Sequence, residues 1–271
     1  MLIDTHCHLN MMVKKDFDIP INQNLLPDAR IIVTDAQQHD VSTIINVGTS
    51  LIESKNCILL AQYIPTVFAT VGIHPNDCTA TWQKDLNEIK KLVQHKEENK
   101  IVGIGEIGMD KHYPDYNLQR QFDAFRAQIE LALEHDLAIV IHTRDAADET
   151  LKILHEYKHD IRRGIIHCFS EDGYFAQETI SMGFAIGIGG TVTYPNNQKL
   201  RDIVTTVSLT DIVLETDAPF LPPQEIRGKQ NAPKYIQVIA KYIAQLRGES
   251  YELVAQKTTQ RAQQIFKLPT S

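Results

Sequence analysis

The chain has 271 residues, 43% of them hydrophobic and 23% charged, the balance of a globular protein with a full core and the length of one α/β barrel. No run approaches the roughly 20 consecutive apolar residues of a membrane span. A net charge of −7 excludes a protein that coats nucleic acid through a basic surface, yet leaves room for an enzyme that grips one strand end with a few cations.

The chain opens on Met1-Leu2-Ile3-Asp4, with an acid where a signal peptide carries basic residues, so a cytoplasmic protein is expected. Short Val/Ile-rich runs predict strands at 2–6, 43–48 and 66–73, followed by a helical pattern at 81–98. A strand is predicted at 100–107. The clearest helix follows at 117–135, where Leu118, Phe122, Phe125, Ile129 and Leu133 recur at helical steps. Strands at 137–142 and 163–168 alternate with helices at 145–158 and 171–182. Strands at 184–188 and 211–216 complete the set of eight, and helices at 233–247 and 250–266 close the chain. No repeat, linker or low-complexity tract divides it, so residues 1–271 read as one domain. Cys7, Cys57, Cys78 and Cys168 form no CxxC pair and are expected as free thiols.

Eight strands, each apolar on both faces and alternating with helices, imply parallel pairing with right-handed crossovers. At this length a TIM-like (β/α)8 barrel is favoured over an open doubly wound sheet. The latter would want a glycine fingerprint after strand one, where Thr5-His6-Cys7-His8 stands instead.

Polar residues of ligand type gather where such a barrel carries its chemistry, at the C-terminal strand ends. His6 and His8 end strand one, His74 strand three, Glu106 strand four, His142 strand five, His167 strand six and Asp217 strand eight. Strand period two puts His6 and His8 on one face, and Glu215 and Asp217 on another. Singly, each has an ordinary structural role: a hydrogen-bonded strand-end histidine, a carboxylate satisfied by turn amides, or an aspartate capping the turn before Pro219. Gathered at one rim they would be costly without a cation. Four imidazoles and two carboxylates exceed one tetrahedral ion and suit two divalent ions, Zn²⁺, Mn²⁺ or Mg²⁺, with Glu106 placed between them. Arg144 is placed either to contact phosphate or to pair with Asp145.

The segments IDTHCHLN, VGIHP, GEIGMD, IHTRDA, IHCFS, GGTVTYP and LETDAPFL, in that order, resemble the TatD-type metal-dependent deoxyribonucleases of the amidohydrolase superfamily. The likeness runs from Ile3 to about Phe266 and implies a TIM-like barrel. It further implies one metal on His6, His8 and Asp217, a second on His142 and His167, and Glu106 shared between them. By the same resemblance Asp217 accepts a proton from the attacking water and His74 contacts substrate. Arg227 and Lys229, with Asn231, resemble a loop at the site mouth that would meet phosphate oxygens. Glu171 after HCFS, Ala232 in the mouth loop and Arg261 depart from the family's usual residues and bear on substrate preference rather than on ligands.

The expected reaction is hydrolysis of phosphodiester bonds by metal-activated water, with single-stranded DNA ends as substrate and exonuclease action favoured by a narrow mouth. The rival enzyme reading is hydrolysis of an amide, lactone or ester, including aminoacyl-tRNA deacylation, on the same barrel. A binding or scaffold barrel would have lost ligands, and every expected ligand is present. No membrane or obligate protein partner is expected.

Overall fold

The computed structural model describes residues 1–14 and 16–269; Lys15, Thr270 and Ser271, part of the span read as one domain, lie outside the described residues. Eight parallel strands pair in chain order: β1 Leu2–Cys7, β2 Val41–Val47, β3 Val67–Val71, β4 Ile101–Asp110, β5 Ala138–Arg144, β6 Gly164–Ile166, β7 Phe184–Ile188 and β8 Ile212–Leu214. The barrel closes where Cys7 bridges Ala218 in parallel register and the Thr5 hydroxyl donates to the Leu214 carbonyl. Helices α1 Leu9–Val13, α2 Leu26–Gln37, α3 Leu51–Tyr63, α4 Trp82–Gln94, α5 Leu118–Glu134, α6 Ala147–Glu156, α7 Gly173–Ser181, α8 Gln198–Thr206, α9 Ile236–Arg247 and α10 Tyr251–Phe266 connect the strands and follow the last. None of the described helices is long and apolar enough to cross a membrane.

The strands are rich in Val and Ile on both faces because both faces are covered. Ile3, Ile45, Val47, Val140, Ile165 and Val213 fill the barrel interior, and Ile265, Phe266 and Leu268 from the end of α10 join the same cluster. The opposite faces, among them Ile44, Ile104 and Ile186, join the helices in a second, larger core. Phe125 and Ile129 of α5 are fully buried there, each contributing about 1.5–3 kcal/mol. Asn117 caps α5 by accepting the Arg120 amide, which fixes the start expected from the pattern.

Several predicted bounds shift for local reasons. Helix α4 stops at Gln94, where the polar stretch from His95 turns away, and residues 233–235 form a 3₁₀ turn before α9. Strand β4 runs three residues past its predicted end, because Gly108, Met109 and Asp110 still pair with His142, Thr143 and Arg144 of β5. Gly108 is required there: its φ is +143°, and a side chain would overlap the His142 carbonyl. All four cysteines are free thiols.

Candidate metal centre

The strands deliver the ligand-type side chains to one mouth. His6 lies in β1; His8 lies just past it, at the cap of α1, and the two Nε2 atoms meet at 3.2 Å. Asp4, fully buried, binds β1 to the segment before Asp217: its oxygens accept the Thr216 amide at 2.9 Å and hydroxyl at 2.5 Å, and the His6 amide at 3.3 Å. Burial pushes the Asp4 carboxyl up to about 8. Asp217, three residues past β8, turns at φ +56°, a conformation aspartate tolerates.

Glu106 is the centre of the cluster, and it stands within β4 rather than at its end. Its Oε1 lies 2.9 Å from His142 Nδ1, 3.6 Å from His74 Nε2 and 3.9 Å from His167 Nε2. Its Oε2 lies 3.4 Å from His6 Nε2 and 3.8 Å from His8 Nε2. Burial alone would raise Glu106; His167, His142 and His6 overcome it and hold the carboxylate well below its ordinary range. Asp217 is likewise held low against its burial, first by His8 and then by His167, with Oδ1 3.4 Å from His8 Nε2 and 3.7 Å from His167 Nε2.

What lies on the far side of each ring shapes what the near side offers. His8 Nδ1 lies 3.0 Å from the Val47 carbonyl, which can only accept, so the neutral ring presents a lone pair at Nε2. His167 Nδ1 lies 2.9 Å from Glu215 Oε1, which also accepts the Cys168 amide at 2.6 Å. Burial disfavours charge on His167, but Glu215 and Glu106 outweigh it and raise the ring to about 10. His6 Nδ1 is buried without a partner, and its ring stacks on His167 with centroids 3.4 Å apart.

These facts test whether a cation fits. His6 Nε2, His8 Nε2, Glu106 Oε2 and Asp217 Oδ1 converge with five mutual distances between 3.2 and 3.9 Å. Donors about 2.1 Å from one tetrahedral ion sit about 3.4 Å apart. Lone pairs and carboxylates at that spacing repel one another unless a positive charge lies between them. The donor set fits a divalent cation.

His74 differs. Its Nδ1 accepts the Asn76 amide at 3.1 Å, so the neutral ring carries its proton on Nε2, the atom that faces Glu106. Burial and the neighbouring His142 lower His74 to about 3. His74, Asp110 and His142 lie close enough to share an ion, but in this tautomer His74 is a donor and not a ligand.

Asp110 was not singled out from the sequence. Its Oδ2 lies 3.0 Å from His142 Nε2 and accepts from Asn76 Nδ2 at 3.0 Å. Burial works against it, yet His142 and the His112 amide hold it at about 2. The signal was present: Glu106, Gly108 and Asp110 share one strand face by period two.

The mouth opens on a cavity of about 830 Å³ whose wall includes His74, Glu106, His142, His167, Asp217 and Arg144. Arg144 lies over the Tyr113 ring at 5.9 Å, while Asp145 faces His112 Nδ1 at 3.0 Å instead. Arg227 and Lys229 are exposed and stand outside the cavity wall, Arg227 lying 4.8 Å over the Tyr194 ring. Asn231 is buried and pins the turn after Asp217, donating to the carbonyls of Thr216 at 2.7 Å and Phe220 at 2.6 Å. Arg261 ties α10 to the Gly183 carbonyl at 2.8 Å, before β7 and away from the centre.

The TatD-related DNase family matches residues 3–267. This chain belongs to that family. It is 34% identical to the metal-dependent hydrolase YabD of Bacillus subtilis over 99% of this chain and 100% of that protein. It is 31% identical to the 3′-5′ ssDNA/RNA exonuclease TatD of Citrobacter rodentium over 92% and 97% of the two chains. The crystal structure of YjjV, a TatD homologue from Escherichia coli K12, superposes with a TM-score of 0.88 at 28% identity, covering 99% and 98% of the two chains. The chain is a TatD-family metal-dependent hydrolase, and in this one the imidazoles and carboxylates that could hold metal gather in a single mouth.

Proposed function

We propose that this TatD-family hydrolase cleaves phosphodiester bonds of nucleic acid, releasing nucleotides from single-stranded DNA ends. The observation that carries the reading is the Glu106 carboxylate, both of whose oxygens are ringed by five imidazoles within 3.9 Å. His6, His8 and Asp217 would hold one divalent ion and His142 and His167 a second, with Glu106 shared; Zn²⁺, Mn²⁺ and Mg²⁺ all suit the donors. Such ions acidify a water and neutralise charge on phosphoryl oxygens.

The chain's own groups supply the rest. Asp217, held ionised by His8 and His167, accepts the proton of the attacking water. Oxygen bonds to phosphorus as the opposite ester bond breaks, and the departing oxygen recovers a proton from Asp217. The His74 Nε2–H, fixed by the Asn76 amide, donates to a phosphoryl oxygen without carrying charge of its own. Arg144 on the cavity wall supplies a planar fork for phosphate. Arg227 and Lys229, outside that wall, would meet more distant phosphates of the strand.

One observation favours a second reading. Among the described residues lining the cavity Arg144 is the one Lys or Arg side chain, a thin grip for a polyanion. Hydrolysis of an amide, lactone or ester, an aminoacyl-tRNA among them, is therefore the alternative. The test is metal-dependent release from single-stranded DNA labelled at either end, using metal-stripped protein resupplied with Mg²⁺, Mn²⁺ or Zn²⁺. Stepwise mononucleotide release is expected, and the label freed first gives the polarity. Metal uptake with intact DNA would move the reading to acyl substrates.

A further inference from the structure

The main cavity has an apolar rim that the hydrolytic groups do not explain. Of ten exposed large hydrophobic side chains among the described residues, four line this one cavity: Phe17, Tyr113, Phe220 and Leu221. Scattered exposed apolar residues are ordinary, but a cluster around a polar, acid-rich mouth is not. Three of the four are aromatic, and they come from separate segments: the loop after α1, the loop between β4 and α5, and the turn after β8.

Phe17 and Phe220 are presented on braced backbone. Beside Phe17, which is 62% exposed, the Asp18 amide donates to Glu53 at 2.7 Å and the Ser50 hydroxyl to Asp18 at 2.5 Å. Glu53 is itself buried and paired with Lys14, and Asn56 holds the chain at Ile19 and Ile21. Phe220 sits on the turn that Asn231 pins, its amide donating to the Asp217 carbonyl at 2.8 Å and its ring edge-on to His8 at 5.9 Å. Phe17 and Phe220 also share a second cleft of about 320 Å³. Tyr113 stands beside the Arg144 guanidinium.

We propose that Phe17, Phe220 and Tyr113 are stacking platforms for unpaired bases, so that this site selects single-stranded nucleic acid by base faces more than by phosphate charge. The inference rests on the phosphodiesterase reading above and adds to it what grips the strand. With one Lys or Arg among the described residues of the cavity wall, charge contacts alone give little hold, whereas every base offers a ring face to an aromatic side chain. Bases held in a duplex cannot splay onto rings from different loops, so paired ends would be poor substrates.

The test uses metal-loaded protein and single-stranded oligonucleotides. Phe17→Ala and Phe220→Ala should each raise KM about tenfold while kcat stays within about twofold, and Phe17→Trp should restore KM. Tyr174→Ala, which removes an equally exposed ring from α7, should change nothing. Fluorescence of the Phe17→Trp protein should be quenched by a phosphorothioate oligothymidylate that resists cleavage. Unchanged KM in Phe17→Ala and Phe220→Ala, with wild-type protein still cutting DNA, overturns the stacking proposal and leaves the nuclease reading intact. Equal losses on blunt duplex overturn the preference for unpaired bases. If the wild-type protein cuts no nucleic acid, the proposed function fails, and absence of quenching in the same titration then overturns the platforms as well.

Discussion

Glu215→Gln removes a charge while keeping shape, and the structure fixes the sign of its effect. Glu215 is fully buried, with Oε1 2.9 Å from His167 Nδ1. In the metal-free protein burial opposes charge on His167, but Glu215 foremost, then Glu106 and Asp217, raise it from 6.5 to about 10. That displacement corresponds to about 5 kcal/mol between the two protonation states. A hydrogen bond to a charged group contributes about 1.5–3 kcal/mol, which puts the Glu215 share at about 2 kcal/mol. Because the folded pKa is raised, this stabilisation is fully present below pH 6.5, where the unfolded chain also binds the proton, and is lost as pH rises through about 10. Thermal unfolding of chelator-stripped wild-type and Glu215→Gln proteins between pH 6 and 10 reads it directly. The variant should melt about 6 °C lower near pH 6, with the gap closing toward pH 10. Equal melting near pH 6, or a gap that widens with pH, would refute the reasoning.

Other outcomes follow from named contacts. Gly187→Ala places a methyl where the Glu215 carboxylate packs, so it should reproduce the Glu215→Gln melting profile; a wild-type profile would show that the carboxylate does not need that glycine. Asp110→Asn leaves His142 Nε2 without its carboxylate and should weaken metal affinity about 10- to 100-fold, read by chelator competition, with activity recovered by excess metal. Arg144→Ala should raise KM on oligonucleotides more than Arg227→Ala does, because Arg144 lines the cavity and Arg227 does not; the reverse order would put the phosphate grip in the mouth loop.

The barrel was legible because its strands are buried on both faces and so carry Val/Ile-rich runs such as Ile44–Ile45 and Ile139–Ile141. Helices α1, α2, α3 and α8 were not singled out. In α3 the buried side includes Glu53 and Asn56, which hold the Phe17 loop, and Ser54, which bonds Gly72 after β3, and these polar residues erase the apolar rhythm. The five histidines, Glu106 and Asp217 were legible as strand-end residues, and the fold brings them into one mouth. Asp110 was hidden by the assumed end of strand four at Ile107, and its partner on β5 shows only in the register. Arg144 forms no pair with Asp145, whose backbone turns at φ +54° and carries it to His112. Asn231 looked like a mouth residue but is spent on backbone carbonyls, as only tertiary structure shows. The apron of Phe17, Tyr113 and Phe220 combines loops far apart in sequence, so no local pattern announces it.

We propose a pair of divalent ions held through Glu106 at a phosphodiester-cleaving mouth. Metal content of stripped and reloaded wild-type and Glu106→Ala proteins, measured beside their turnover of single-stranded DNA, tests it most directly. Two ions per wild-type chain are expected, fewer in the variant, and activity lost with them while the barrel still melts cooperatively. A Glu106→Ala protein that keeps two ions and cuts DNA at the wild-type rate would contradict it.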